Sequence, residues 1–146
     1  YRTSSSALTG CCLFNTALSG TTDTGYSLQF DRGYSTNSVT GNNGAIIIRP
    51  RTAGAEASPG PNVWTYANTG GLIHHKQTDP AWWAAPHTLT LKVSSTSPTG
   101  RNLTFSIDGQ MIFNNFNFTA PADSSTSYTG LRANATPTKF GALTVG

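Results

Sequence analysis

The stretch His87–Asn117 constrains the fold more than any other. Leu89, Leu91 and Val93 alternate with Thr88, Thr90 and Lys92, and Leu103, Phe105 and Ile107 alternate with Asn102, Thr104 and Ser106. Successive side chains on a strand point to opposite faces, so period two means strands with one buried face. A Pro98-Thr99-Gly100 loop separates these two runs, and Asp108-Gly109 separates the second from Gln110–Asn117. Asp-Gly suits a type I′ turn, which needs positive φ at both central residues. The stretch predicts a three-stranded antiparallel meander onto which the remainder packs.

The flanking chain supplies more short strands. Tyr26–Asp31 alternates, with Tyr26, Leu28 and Phe30 on one face. Gly44–Arg49 is β-branched and is expected to stop at Pro50, which has no N–H for a ladder. Val63–Tyr66, Tyr128–Ala133 and Lys139–Val145 read as further strands, and Tyr1-Arg2-Thr3 as the end of one. Gly33–Asn43, Thr52–Asn62, Asn68–Pro86 and Ala120–Ser127 read as loops, with one helical turn around Pro80–Ala85. Cys12-Leu13-Phe14 shows no clear period. Many short strands with Gly, Pro and Asn turns predict an all-β antiparallel sandwich, one domain spanning residues 1–146.

Composition narrows the class. Only 10% of the 146 residues are charged, and the net charge is +3 with the basic residues scattered. A nucleic-acid footprint needs a basic face, so none is expected. No apolar run approaches membrane-spanning length, so no membrane partner is expected. A hydroxyl- and amide-rich surface suggests a secreted or cell-surface protein. The chain opens at Tyr1 without Met or a leader, and reads as a processed piece of something larger. Cys11 and Cys12 are adjacent, with Cα atoms about 3.8 Å apart, closer than ordinary disulfides allow. Three readings stand: a strained vicinal disulfide, two buried thiols, or pairing with residues elsewhere. No zinc spacing accompanies them.

The order of strands resembles a known superfamily. Tyr26–Asp31, Ala45–Arg49, His87–Val93, Phe105–Gly109 with its Asp-Gly end, Gly130-Leu-Arg-Ala133 and Phe140-Gly-Ala-Leu-Thr-Val145 are similar to the concanavalin A-like, or laminin-G-like, jelly-roll domains. Within these, the chain is most similar to sandwich domains attached to secreted fungal and bacterial glycoside hydrolases, levan-binding modules among them. The resemblance covers most of Tyr26–Val145. It implies a jelly-roll sandwich whose opening strands are missing here, to be supplied by another chain or by the larger protein. It implies sandwich construction more firmly than any activity.

Glycoside hydrolysis needs two carboxyls facing one bond. The acidic residues are Asp23, Asp31, Glu56, Asp79, Asp108 and Asp123. Asp108 belongs to the hairpin turn, and the Glu-x-Asp-x-x-Glu strand motif of concanavalin-like glucanases is absent. No catalytic residue is assigned. There is no Gly-x-Ser-x-Gly for a serine nucleophile. His74 and His75 are adjacent and point oppositely on an extended chain, which disfavours a metal pair. His87 reads as the structural start of a strand. Calcium is common in the resembled superfamily, but no Asp-x-Asp cluster provides for it here.

Sugar binding uses the residues that fit no core pattern. Trp64, Tyr66, Trp82 and Trp83 lie in or beside loops. The apolar C–H face of a sugar stacks on aromatic rings, while planar polar groups take its hydroxyls. Asp31, Arg49, Arg51 and Glu56 are the charged groups nearest these aromatics in sequence. The competing structural readings are that Trp82-Trp83 plugs one end of the sandwich and that Asp31 and Arg49 form an ion pair. Sequons stand at Asn102, Asn117 and Asn134, a number chance alone predicts; Asn102 and Asn117 fall at strand ends, where a glycan would sit outside. The expected function is non-catalytic carbohydrate binding, of a fructan or cell-wall glycan, by an ancillary domain. The alternatives are a cell-surface assembly module binding protein through an open sheet edge, and a fragment of a glycoside hydrolase.

Overall fold

The computed structural model describes residues 10–19, 22–31, 34, 44–119, 128–133 and 142. In chain order these form β1 (Gly10–Ser19), β2 (Thr22–Asp31), β3 (Ala45–Thr52), β4 (Ala55–Glu56), β5 (Val63–Trp64), α1 (Pro80–Ala84), β6 (Leu89–Ser95), β7 (Gly100–Ile107), β8 (Gln110–Thr119) and β9 (Tyr128–Ala133). One sheet runs β4-β3-β2-β1-β9, with β5 also pairing β3; the other runs β6-β7-β8. Every pairing is antiparallel. The all-β class follows. The expected strands at Tyr1–Thr3 and Lys139–Val145 and the loops at Gly33–Asn43 and Ala120–Ser127 fall wholly or largely outside the described residues.

The meander forms with the expected pairing, and β7 buries its apolar face, while on β6 Leu89 and Leu91 are half-buried and Val93 is 42% exposed. Leu91 pairs with Phe105 and Val93 with Leu103, and Asp108 (φ 52) and Gly109 (φ 80) make the tight turn. Alternation buries Leu103, Phe105 and Ile107 on one face. They join Phe113 and Phe118 from β8, Leu28, Phe30, Ile46 and Ile48 from the larger sheet, and Ile73 and Trp83 from the segment between β5 and β6. Phe30 meets Phe105 edge-on at 6.3 Å, and Tyr26 meets Phe118 at 4.8 Å. The two sheets therefore share one apolar core, and each fully buried side chain of this size contributes about 1.5–3 kcal/mol.

Three sequence expectations need correction in the larger sheet. β3 continues through Pro50 to Thr52. The Pro50 carbonyl accepts from Ala57 N at 2.9 Å, so its missing N–H faces the same side. Pro50 thus lies opposite Ala57 on the β4 side, away from β2, and the Ala57 carbonyl that its N–H would have met accepts from the Arg49 guanidinium at 3.3 Å instead. The expected long loop Thr52–Asn62 instead begins with a tight reversal at Ala53 (φ 49) and Gly54 (φ 82), which returns β4 onto β3. β1 was not expected as a strand. Its register against β2 and β9 shifts beyond Phe14 and Leu13 respectively, so no single alternation runs through it.

The run Ala45-Ile46-Ile47-Ile48 is buried throughout, as are Ser27 and Gln29 on the neighbouring strand. Leu28 and Phe30 face the shared core, so Ser27 and Gln29 lie on the opposite face. Their polar groups are satisfied within the ladder: Gln29 Nε2 donates to Ser27 Oγ at 3.0 Å, and Arg49 Nε donates to Gln29 Oε1 at 3.1 Å. Asp31 and Arg49 do not form the expected cross-strand pair. The register sets Asp31 opposite Ala45 and Arg49 opposite Ser27.

Candidate functional site: an aromatic and imidazole row

Residues 65–88 join the two sheets and are fastened mainly by side chains bonding to backbone. Asn68 Oδ1 accepts from Thr65 N at 2.6 Å, and its Nδ2 donates to the Val63 carbonyl at 2.8 Å. Thr69 Oγ1 donates to the Thr65 carbonyl and accepts from Ile73 N. Ile73 is fully buried and anchors the segment in the core. Asp79 caps α1 by accepting from Trp82 N at 3.2 Å, with Pro80 following it. An Asp N-cap followed by Pro is a strong helix start, and Pro86 stops the helix after little more than one turn.

This fastening sets out two groups of rings, Tyr66 with His75 and His74 with Trp82 and His87. Tyr66, 46% exposed, leans on His75 at 4.6 Å and lies over Gly71, where a Cβ would stand 3.3 Å from its ring. His74 stacks on Trp82 with centroids 4.9 Å apart and planes 10° apart. Trp82 meets His87 at 4.3 Å. Each of two histidines is held by a carboxylate: His74 Nδ1 lies 2.6 Å from Asp79 Oδ2, and His87 Nδ1 lies 2.6 Å from Asp108 Oδ2. The His74 bond, together with the Trp82 N–H, holds the Asp79 carboxyl below its ordinary pKa. For Asp108 burial pushes upward, but the bonds from His87 and the Thr88 N–H outweigh it and the pKa is lowered.

The residues singled out by sequence are divided by the fold. Tyr66 belongs to one group of rings, and Trp82, whose ring also meets Trp83 edge-on at 5.1 Å, to the other. Trp83 itself is 2% exposed, and its Nε1 donates to the His74 carbonyl at 2.8 Å. Trp64 stacks on Phe113 at 4.0 Å and packs against the core. Arg51, its side chain 3% exposed, pairs with Glu56 at 2.6 Å and bonds the Gly54 carbonyl. That pair sits five residues along β3 from Ile46, which lies opposite Trp64, a separation of about 16 Å along a strand. Arg49 reaches Gln29 and the Ala57 carbonyl. Asp31 closes β2, near the Trp64 end. The proposed polar and aromatic halves are thus not one constellation.

An open cleft of about 180 Å³ lies at the Arg51 end, lined by Thr24, Gly25, Tyr26, Pro50, Arg51, Thr52 and Thr119. Burial raises the pKa of the Tyr26 hydroxyl, a hydrogen bond with the Thr119 backbone opposing it. Asn102 and Asn117 face each other across β7 and β8, with Asn102 Nδ2 donating to Asn117 Oδ1 at 3.0 Å. Asn134 lies outside the described residues. Cys11 and Cys12 lie on β1, but their side chains are outside those described. Among the described residues no group of three or more His, Cys, Asp or Glu is placed to hold a metal ion, and no helix is long and apolar enough to cross a membrane.

Sequence reading missed the two histidine–carboxylate pairs. His74 and Asp79 are five residues apart in a segment without period, and His87 and Asp108 are joined only when the hairpin folds back. The one available signal was Asp79-Pro80, which marks a cap and so a carboxylate fixed in place. Comparison with protein-family models, curated proteins and solved structures found no match for this chain.

Proposed function

We propose that this is a non-catalytic carbohydrate-binding domain of a secreted or cell-surface protein, built as a concanavalin A-like jelly roll. Two antiparallel sheets sharing a core support that architecture. The ligand is an extended neutral glycan, a fructan or a cell-wall glucan. One observation carries the reading: Tyr66 stands out from the surface on a rigid seat formed by Gly71 and His75. A large, half-exposed aromatic ring backed by Gly71 and His75 suits stacking on a sugar's C–H face. The His74–Asp79 pair and exposed Leu72 lie in the same segment. Asn102 and Asn117, opposite each other on the smaller sheet, are the proposed glycan acceptors.

Tyr66 is a cleaner probe than Trp82, because Trp82 also contacts His74 and His87. With Tyr66→Ala, retention on immobilised levan or β-glucan should fall about tenfold or more, as expected when one stacked ring is lost. Retention equal to that of the unaltered protein, with the fold intact, sinks this site. Failure of the unaltered protein to be retained by any glycan matrix sinks the function.

A further inference from the structure

We propose that the smaller sheet carries a single N-linked glycan, on Asn117, and that Asn102, the other acceptor on that sheet, stays bare. The inference rests on the reading of the chain as secreted and needs nothing of its sugar binding. Both sequons are complete: Asn102-Leu103-Thr104 and Asn117-Phe118-Thr119. The sheet sets the two asparagines directly opposite each other on β7 and β8. Leu103 and Phe118, the middle residues of the sequons, are buried in the core. Alternation therefore turns both asparagines to the other face of the sheet. There Asn102 Nδ2 donates to Asn117 Oδ1 at 3.0 Å.

That spacing leaves room for one sugar chain. The oxygen and nitrogen of an amide are about 2.3 Å apart, given its C=O and C–N bonds, so the two Nδ2 atoms lie within about 5.3 Å of each other. A sugar on each would bring two pyranose rings, each with an N-acetyl group beside its linkage carbon, into one space where non-bonded carbons need about 3.5–4.0 Å between them. The strands choose between the sites. Among the described residues β8 has only β7 beside it, whereas β7 lies between β6 and β8. Asn117 is exposed, and its sugar can lean over the sheet edge. Asn102 is half-buried, with Ser94 opposite it on one side and Asn117 on the other. A glycosylated Asn117 also keeps its Oδ1, so the bond from Asn102 survives. Because Leu103 and Phe118 are buried, an enzyme that grips a whole sequon must act before the strands close. The fold then selects, and a chain with sugar on Asn102 closes poorly.

The test is to secrete the chain from a eukaryotic host behind a leader and to digest the protein recovered from the medium with trypsin. Trypsin cuts after Arg101 and Arg132 and at no residue between them, so Asn102 and Asn117 travel on one peptide and Asn134 on another. The mass of that peptide counts its glycans. Enzymatic release, which leaves Asp in place of a modified Asn, marks the site. The unaltered protein should carry one glycan on the peptide, at Asn117. Thr104→Ala removes the Asn102 sequon and should change nothing. Thr119→Ala removes the Asn117 sequon, leaves both asparagines in place and should yield a bare peptide. Two glycans on one peptide, or sugar on Asn102 in any of the three proteins, overturns the proposal while leaving the sheet a glycan carrier. A bare peptide from the unaltered protein overturns it together with the reading of these asparagines as acceptors.

Discussion

The meander and the segment 65–88 both carry aromatic rings, and they use them in opposite ways. In the meander, period two sends Phe105 inward, and it meets Phe113 of the irregularly registered β8 at 5.5 Å in the core. In the segment no period operates. Its rings are placed by capped turns, by Asn68 and Thr69 bonding to backbone, and by two histidine–carboxylate pairs. Burial by alternation gives stability without choice of surface. Fastening by polar side chains leaves rings outside but fixed, which is the arrangement a binding surface needs. Ile73 and Trp83 of the segment are buried in the core and Trp82 packs against it, and these tie the regions together.

The strongest way to break the comparison is through the core. Phe105→Ala should cost about 3–5 kcal/mol, a large fraction of a small domain's stability, read as a lower urea midpoint. A loss under about 1 kcal/mol would mean the sheets are not joined through this ring. Next is Gly44→Ala, at the contact between β3 and the segment. Gly44 has φ +76, and a Cβ there would stand 2.4 Å from Cζ2 of Trp83. The Trp83 ring is held by its own hydrogen bond, so a cost of about 1–3 kcal/mol is expected from backbone strain alone, and the clash adds to it.

Acid should act where the segment meets the meander. Asp79 and Asp108 both have lowered pKa values in the folded protein. A lowered carboxylate adds stability that is present above its unfolded value, about 4, and is lost as pH falls through the lower folded value. The unfolding midpoint should therefore drop below about pH 4, and less steeply in Asp79→Ala, whose α1 has also lost its cap. An unchanged acid slope in that variant would show that the His74 pair does not bear on folding.

The smallest effects are in the turns and on the surface. Ala53 holds a left-handed conformation at φ 49, unfavourable for any residue with a Cβ and easier for Asn. Ala53→Asn should stabilise by about 0.5 kcal/mol, measurable as a raised midpoint; a destabilisation would show that the turn is not of the primed type. Tyr66→Ala should change stability by less than about 0.5 kcal/mol, since the ring is half exposed. A larger loss would make Tyr66 a structural residue like Trp83 and remove it from the proposed site.

Local pattern alone determined the strands of the meander, β2, most of β3, β9 and the all-β class. Alternation and turn chemistry are properties of neighbouring residues, and they survive tertiary context where one face is buried. The Asp79-Pro80 start of α1 was legible for the same reason. The tertiary structure decided everything that depends on which distant residues meet. It buried Trp83 against the edge of Trp82 and stacked Trp64 on Phe113, while it left Tyr66 half exposed. It paired Arg51 with Glu56 and kept Asp31 from Arg49, because strand register sets partners and no one-residue rule encodes register across a turn. It also brought His87 against Asp108 and Trp82. The hairpin that the sequence announced most clearly thus carries the chemistry that the sequence did not show.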